Sequence, residues 1–420
     1  MKRLTLISAA AALTLALAAC SDSTDSKADD DAAKQAVEAS TPTPSPTPTS
    51  TPSELTIVSG GDILTHLSVL EAGRLGPDEF DFTPYWSELE DYIAGADLAL
   101  CSLEIPILAE GETPSNYPLF GAPRHLATAI AEVGYDGCAT ATNHTLDRRY
   151  AGMSMTIEEL SKNGLGWAGS ARTQEEADEI QFYTLESGGR DVKIAHISAT
   201  TLTNGIPIPA DHPYSWNVVG MLGDPVSTIV DDAKKARQLG ADLVVVSMHW
   251  GTEYVNDPIK EQTDIAEQLA LSGEVDLVFG NHSHVPEPIA ELDGGPRGEG
   301  MWVVWSMGNQ LSGQTVENHG YRVTTGLLTT ATISVPAEGP ATVKSLEWMA
   351  VTQDRPAGEK MYPLFEILNG TAKGYTMSQA VAQARADVTY PVMSESGPER
   401  QVAPKPVATK LTVSREGTVG

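Results

Sequence analysis

From residue 55 onward, the chain alternates short apolar runs with stretches of helical length and pattern. Strand-like runs at 55–58, 96–103 and 135–141 are separated by helix-like stretches at 84–95 and 123–134. This alternation is typical of βαβ units, in which parallel strands lie side by side and helices cover the sheet. It predicts an α/β fold whose first half is built on a largely parallel sheet.

The second half of the chain predicts a second, mixed sheet. Residues 182–199 predict a hairpin that turns at Ser187-Gly188-Gly189. Further elements are predicted as helices at 224–239 and 258–272 and as strands at 241–248, 275–280, 301–306, 326–335 and 342–352. We predict one domain over residues 54–355. Residues 356–420 are predicted to be a C-terminal extension, partly unstructured, with one helix in MSQAVAQARADV and a loop or tail in GPERQVAPKPVATK.

The N-terminal residues predict export. In residues 1–19, Lys2 and Arg3 precede an apolar run that is too short for a stable membrane span, as in a secretory signal peptide. The run ends in Leu-Ala-Ala-Cys, which resembles a bacterial lipobox with Cys20 as the lipidated residue; an ordinary signal peptide with a chance cysteine is the alternative. Residues 20–53 are rich in Ser, Thr and Pro and predict a disordered tether. We therefore expect an extracytoplasmic lipoprotein that contacts the membrane through its lipid anchor only.

Net charge and cysteine content limit the classes of partner and of metal site that the chain can have. The formal net charge of −29 argues against nucleic acid or anionic lipid as a partner and suits a domain that binds cations. Cys101 and Cys138 each lie in a strand-like run, so a cross-strand disulfide and two buried free thiols are both open. Neither cysteine has the spacing of a thiolate metal site.

Polar clusters follow five of the predicted strands: GGD, SLE, TNH, HWG and GNHSH. In open α/β sheets, ligands gather at the carboxyl ends of the strands, so these clusters are expected to meet in one pocket. The candidate site residues are Asp62, Glu104, Asn143, His144, His249, His282 and His284. Their nitrogen and oxygen donors favour a divalent transition metal such as Mn, Fe or Zn over Ca or Mg. Glu104 could bridge two cations, and His144 could donate a proton.

The stretch GNHSHVPEPI at residues 280–289 can supply either an asparagine ligand with an acid histidine or a two-histidine clamp. Because ATNHTLD already offers the amide and the acid histidine after the third strand, the clamp is the preferred interpretation. Alternation along an extended segment would place His282 and His284 on one face. Asn281 is then a spacer or a group that supports the ligands.

The motifs GGDIL, SLEIP, ATNHTLD, VVSMHWGTEY, GNHSHVPEP and WSMGNQ, in this order, resemble those of the CapA family. That family is associated with poly-γ-glutamate capsule synthesis and is a variant of the calcineurin-like metallophosphoesterase superfamily. The resemblance covers roughly residues 54–312. It implies a metallophosphatase-like four-layer αββα sandwich, with two mixed sheets flanked by helices.

The resemblance also implies roles for the candidate residues. Two metal ions are implied, one held by Asn143, His249 and His282 and the other by Asp62 and His284, with Glu104 bridging both and His144 as the acid. Ser306, Gly308 and Asn309 resemble the family's Ser-Leu-Gly-Asn turn, which could shape the pocket floor or be only a glycine turn.

Three positions depart from the pattern, and two more residues have roles that stay open. Leu64 stands where the superfamily has a histidine ligand, so whether two metals bind, one or none stays open, and His66 could either compensate or face solvent. Ser102 and Thr142 stand where the CapA pattern usually has asparagine. Glu253, in HWGTEY, matches a family position and is a candidate catalytic residue that could act as a ligand, a base or a substrate contact.

The resulting functional hypothesis is an envelope-anchored protein that acts in the synthesis, export or processing of a poly-γ-glutamate-type capsule polymer, as a metal-dependent hydrolase or transferase. Capsule-synthesis proteins are its expected partners. Two alternatives are a non-catalytic accessory protein that binds an anionic polymer and a metallophosphoesterase that acts on a phosphoester. Analogy from fold is a weak argument for any one substrate, so the sequence leaves this choice open.

Overall fold

The structure, a computed structural model, describes residues 50–418. The predicted signal peptide, Cys20 and nearly all of the predicted tether lie outside these residues, so those interpretations stay predictions. Within the described range, no helix combines the length and apolar character needed to cross a membrane.

The described chain contains strands and helices in regular alternation over its first half, as the apolar pattern predicts. The strands are β1 (Ser53–Ile63), β2 (Leu98–Leu103), β3 (Gly137–Ala139), β4 (Gly166–Ala168), β5 (Ile180–Ser187), β6 (Arg190–Thr200), β7 (Leu243–His249), β8 (Leu277–Asn281), β9 (Ile289–Leu292), β10 (Met301–Val304), β11 (Asn309–Leu311), β12 (Thr325–Val335), β13 (Thr342–Asp354), β14 (Lys360–Pro363) and β15 (Lys410–Glu416). The α-helices are α1 (Leu67–Ala72), α2 (Glu90–Ile93), α3 (His125–Glu132), α4 (Arg149–Lys162), α5 (Gln174–Ala177), α6 (Ser227–Gln238), α7 (Lys260–Ser272), α8 (Val316–His319), α9 (Leu364–Asn369) and α10 (Gln379–Thr389).

The strands form two mixed sheets. The first has the order β14-β13-β12-β1-β2-β3-β4, and β11 also pairs with β1. The second has the order β15-β5-β6-β7-β8-β10-β9. Strands β1 to β4 are parallel to one another, as are β6, β7, β8 and β10, whereas the outer strands are antiparallel. The expected α/β fold with two mixed sheets is confirmed.

Three apolar cores give the fold its layers. Alternate side chains of β2 point to opposite faces, so Leu100 packs between the sheets with Phe279 of β8. Cys101 instead packs in the core formed with α3 and α4. A third core joins the outer face of the second sheet to α6 and α7, through residues such as Leu269. The arrangement is the expected αββα sandwich.

Residues 84–95 do not form the single helix that the sequence predicts. The segment is a 3₁₀ turn at Thr83–Trp86 followed by the short α2. Trp86, at the end of the 3₁₀ turn, and Leu89, directly before α2, are both fully buried.

In residues 356–418 the helix predicted in MSQAVAQARADV is present as α10 and GPERQVAPKPVATK is a loop as far as β15, as predicted, but the region as a whole is ordered against the domain rather than partly unstructured. Strand β14 pairs with β13 in the first sheet, and β15 pairs with β5 along seven residues at the edge of the second. Helices α9 and α10 pack on the core between the sheets. The carboxylate of Asp97 accepts the backbone N–H groups of Val407 and Ala408, which ties down the proline-containing segment. Pairing with distant strands, rather than local propensity, orders this region.

The open question about the two cysteines is decided in favour of a disulfide. Cys101 and Cys138 lie opposite each other on the neighbouring strands β2 and β3, with Cα atoms 4.4 Å apart. Both are buried, and the bond closes a loop of 37 residues in sequence separation. The bond therefore links the two strands that precede Glu104 and Asn143.

Replacing both cysteines with alanine is expected to lower the free energy of unfolding by about 4 kcal/mol, because the unfolded chain regains the entropy of the open loop. Urea unfolding of the wild type and the double variant would measure the difference. Alkylation of both thiols in denatured, unreduced protein would contradict the assignment.

Candidate metal centre

The predicted polar clusters meet at the carboxyl ends of strands from both sheets. Asp62 is the penultimate residue of β1, and Glu104 directly follows β2. From the second sheet, His249 is the last residue of β7, and His282 directly follows β8. The backbone N–H of His282 donates to Oδ2 of Asp62 at 3.0 Å, so the two sheets are joined at this point.

Two glycines next to the cluster pack against the backbone of the segment 305–308, which follows β10. A Cβ atom on Gly61 would lie 2.1 Å from the carbonyl oxygen of Gly308. A Cβ atom on Gly280 would lie 1.9 Å from the carbonyl oxygen of Trp305. Both contacts are with backbone, which has little freedom to move, so a side chain at either position would displace the segment 305–308 or the adjacent strand, β1 with Asp62 or β8 before His282.

Gly61→Ala is therefore expected to destabilise the protein by about 1–3 kcal/mol or more and to weaken metal binding. Chemical denaturation and metal analysis of the same preparation would test both effects. Gly76→Ala is a suitable control, because a Cβ atom there would lie 3.5 Å from its nearest neighbours. Gly164 has no close neighbours either, but its positive φ would strain an alanine. Equal stability and equal metal content in wild type and Gly61→Ala would contradict the expectation.

Two groups of buried atoms that could bind a metal ion, here called the two donor groups, share one carboxylate. Glu104, His249 and His282 each offer an atom, all within 4.8 Å of one another, and so do Asp62, Glu104 and His284. Oε1 of Glu104 lies 3.7 Å from Nε2 of His249 and 3.8 Å from Nε2 of His284. This grouping has the same division of ligands that the resemblance implies, and Glu104 stands between the two.

The donor atoms are buried without partners. Both carboxylate oxygens of Glu104, and Nδ1 of His249 and of His282, have no hydrogen-bond partner within residues 50–418. Buried polar atoms are nearly always satisfied in folded proteins, so four such atoms in one place indicate a missing partner. A carboxylate and imidazoles are ligands for divalent transition metals, and the cluster is compatible with divalent metal binding.

The pKa shifts of the clustered residues are consistent with a site for a cation. Burial, followed by the charge of Asp62, raises the pKa of Glu104 well above its ordinary value. Burial lowers the pKa of His249 and of His282 well below the ordinary value, and neighbouring histidines lower it further. Without a cation, the site therefore favours a neutral carboxyl group and neutral imidazoles. Neutral imidazole is the form that binds a metal, whereas Glu104 would lose its proton on binding.

Polar neighbours orient the ligands. Ser102 Oγ donates to Oδ1 of Asp62 at 3.1 Å, so the serine that departs from the family pattern still contacts a candidate ligand. Nδ1 of His284 lies 3.1 Å from Oδ1 of Asn309, and the Asn309 amide also donates to the carbonyl of His284. Oδ1 of Asn143 lies 2.8 Å from Nε2 of His249, which places the amide with the first donor group. Such supporting contacts fix ligand orientation in metal sites.

His144 faces the cluster with one nitrogen and an aspartate with the other. Its Nδ1 lies 2.7 Å from Oδ2 of Asp147, and its Nε2 lies 4.0 Å from Oε1 of Glu104. Asp147 Oδ2 also accepts the backbone N–H of Phe120, whose ring packs edge-on against His144. The sequence interpretation missed Asp147, although its position three residues after the histidine in ATNHTLD was the available signal.

The two-histidine clamp is not an extended segment, which corrects the sequence interpretation. His282 has φ 97° and His284 has φ 59°, so both lie in the left-handed region in a tight bend after β8. Non-glycine residues rarely adopt this conformation, and such strain is concentrated at functional sites. The Ser283 carbonyl accepts the backbone N–H of Tyr254 at 2.7 Å, which helps to hold the bend.

The remaining positions lie around the cluster. Glu253 is exposed, and its charge contributes to the raised pKa of Glu104, so it lies on the open side of the site. Leu64 is buried in the core beside the helices. His66 is half-buried: its Nδ1 accepts the backbone N–H of Gly313, its ring packs edge-on against Phe120, and burial lowers its pKa to about 3. In the part of the chain that the structure describes, His66 belongs to neither donor group.

The chain is similar to proteins of bacterial capsule synthesis. The family model described as bacterial capsule synthesis protein PGA_cap matches residues 56–314. The PGA biosynthesis protein CapA of Bacillus subtilis is 28% identical over 272 residues, which cover 60% of this chain and 64% of that protein. The capsule biosynthesis protein CapA of Bacillus anthracis is 27% identical over 240 residues, 55% of each chain. The matched part thus spans less than two thirds of the length of either relative.

Among solved structures, the calcineurin-like phosphoesterase YfkN of Bacillus subtilis aligns with a TM-score of 0.39 and 12% sequence identity. The alignment covers 81% of this chain and 97% of that one.

Proposed function

Because the chain belongs to the bacterial capsule synthesis protein PGA_cap family, we propose that it acts in the synthesis, export or processing of a poly-γ-glutamate-type capsule polymer, as a metal-dependent hydrolase or transferase. The family membership and the names of the CapA relatives support the capsule role. The buried donor cluster supports the chemistry.

The observation that carries the chemical part is the environment of Glu104. It is the one residue common to both donor groups found in residues 50–418, and neither of its oxygens has a partner there. We propose two ions of Mn, Fe or Zn, held by Asp62, Glu104, Asn143, His249, His282 and His284. When bound, such a pair activates a water molecule and stabilises negative charge on the reacting group.

The residues around the cluster would handle the proton and the substrate. Asp147 holds Nδ1 of His144 and leaves Nε2 directed at the cluster, where it can deliver a proton to the leaving group. Glu253, on the open side, is proposed as a catalytic residue that contacts the substrate or accepts its proton.

The cellular setting follows from the N-terminus and the family. We propose an extracytoplasmic location, with Cys20 as the lipid attachment site and the tether holding the domain away from the membrane. Capsule-synthesis proteins and the anionic polymer are the proposed partners. Labelling with radioactive palmitate in wild type and Cys20→Ala would test the anchor, and equal labelling would contradict it.

A non-catalytic accessory role is the second candidate, and Leu64 favours it. This buried leucine replaces a nitrogen ligand of the wider superfamily, so one cation position has fewer donors. In this role the pocket would bind the anionic polymer without cleaving it.

The functional test measures products on two substrates. Purified protein loaded with Mn, Fe or Zn is incubated with poly-γ-glutamate and, separately, with a phosphodiester, and polymer length and phosphate ester cleavage are followed. Metal-dependent shortening or transfer of the polymer supports the proposal. Cleavage of the phosphodiester alone points to a metallophosphoesterase, and polymer binding without turnover points to the accessory role; either result overturns the proposed reaction.

A further inference from the structure

A cavity separate from the metal cluster lies where the edge of the first sheet meets the second sheet. It has a volume of about 300 Å³ and is bordered by the segment after β4, by β6, by α6 and by Arg415 of β15. Its lining includes none of the residues of the two donor groups. The volume is at the lower end of the range for small-molecule sites, which suits a ligand the size of one sugar ring.

The inner wall of this cavity carries two polar side chains without partners. His196 and Ser198 are each 1% exposed and both line the cavity. Nδ1 of His196 and Oγ of Ser198 have no hydrogen-bond partner within residues 50–418, while Nε2 of His196 is held by Ser247 Oγ at 2.9 Å. The two side chains lie two residues apart on β6 and point to the same face. Leaving such groups unsatisfied is costly, so they indicate a ligand.

The outer part of the cavity is negatively charged. Asp232 of α6 lines it, and burial raises the pKa of this carboxyl group to about 6. Asp178 and Asp224 also border the cavity. The cation on its wall, Arg415, is already engaged: its guanidinium donates to the carbonyls of Trp167 at 2.8 Å and Glu176 at 2.7 Å and pairs with Glu179.

The charged and unpaired polar side chains of the cavity indicate the charge and polarity of its ligand. An anionic ligand would face three aspartates, with the nearby guanidinium already committed. A positively charged donor would find the Asp232 carboxylate, and hydroxyl groups could pair with the imidazole and the hydroxyl at the inner wall. We propose that this cavity is a second binding site, for a small protonated amine that carries hydroxyl groups, with Asp232 binding the ammonium and His196 and Ser198 binding hydroxyls.

Calorimetric titration with three matched sugars tests the proposal. Glucosamine, glucose and glucuronate share the ring and differ in charge, and the full-length protein is titrated with each. We expect glucosamine to bind, glucose to bind at least about tenfold more weakly, and glucuronate to bind least. Absence of glucosamine binding, or glucuronate binding as tight as glucosamine, overturns the proposal.

Two variants locate the binding. Asp232→Asn is expected to weaken glucosamine binding at least about tenfold, whereas Asp231→Asn, the adjacent exposed acid outside the cavity, should leave it unchanged. Ser198→Ala should weaken binding several-fold without lowering the melting temperature, because it removes a hydroxyl that is unsatisfied in the free protein. Equal effects of the two aspartate variants, or unchanged binding to Ser198→Ala, contradict the assignment.

This site is independent of the proposed metal chemistry. Glucosamine binding should be the same in wild type, in metal-stripped protein and in His282→Ala, so failure of the metal centre would not hide it. Loss of glucosamine binding in folded His282→Ala protein would place the sugar at the metal cluster and overturn the second site.

Discussion

Glu104→Gln is expected to remove most of the bound metal and, at the same time, to make the metal-free protein more stable. The loss of metal follows because Glu104 is the carboxylate common to both donor groups. The gain in the metal-free form follows because both of its oxygens are buried without partners and burial raises its pKa, so folding at neutral pH carries the cost of protonating Glu104, which an amide does not need. We expect a gain of about 1–3 kcal/mol at neutral pH.

The free energy of unfolding of the metal-free protein should depend on pH in a direction set by Glu104. The pKa of Glu104 is raised in the folded state above the ordinary value of 4.5, so above that value the unfolded chain loses the proton first. The contribution of Glu104 to metal-free stability is therefore present at low pH and lost as the pH rises from about 4.5 through the folded pKa. His249 and His282 have lowered pKa values and act in the opposite sense, losing stability as the pH falls below 6.5. The difference between wild type and Glu104→Gln isolates the carboxyl group.

The measurement is urea unfolding of chelator-treated protein from pH 4 to pH 8, with metal content determined on untreated protein. Glu267→Gln, an exposed glutamate on α7, is the matched control and should change neither property. A variant that keeps its metal, or whose metal-free form is less stable than wild type at neutral pH, would show that Glu104 is satisfied in some other way.

His144→Ala is expected to leave the metal bound and to reduce turnover about 10²–10⁴-fold. His144 belongs to neither donor group, but its Nε2 faces Glu104 and its Nδ1 is held by Asp147. Removing the imidazole therefore takes away the proton donor without taking away a ligand. Metal analysis and rate measurements on one preparation test both halves of the statement.

His212→Ala is the control for this experiment, since that histidine stacks on Tyr150 and matches none of the motifs. It should retain both metal and rate. Should His144→Ala lose its metal, the residue is a ligand; should it keep full activity, the acid role is wrong.

The sequence predicts the layers of the fold and the place of the site well, for a physical reason. Strands such as β7 and β8 are almost continuous apolar runs because they are buried on both faces, and apart from Ser247 their polar residues occur where the strand ends. His249 and His282 stand at those ends, so chain order and strand order together bring them near Asp62 and Glu104. The apolar pattern alone was enough to anticipate this convergence.

What the sequence did not predict depends on contacts between distant residues. The bend that carries His282 and His284 at positive φ contains no glycine that would predict it. It is held by a backbone hydrogen bond from Tyr254 to Ser283 and by the hydrogen bond from the His282 N–H to the Asp62 carboxylate. Strand β15 follows a proline-containing stretch and is ordered by pairing with β5, more than 220 residues away. Asp147 was visible in ATNHTLD, but only the fold brings its carboxylate to the imidazole.

The metal content of purified protein, with and without His282, tests the central claim most directly. Elemental analysis of wild type should give about two transition-metal ions per chain, and His282→Ala should lose the ion shared with His249 while the group of Asp62, Glu104 and His284 keeps the other. Wild-type protein that binds no transition metal even when it is supplied, or a His282→Ala variant with unchanged metal content, would contradict the account.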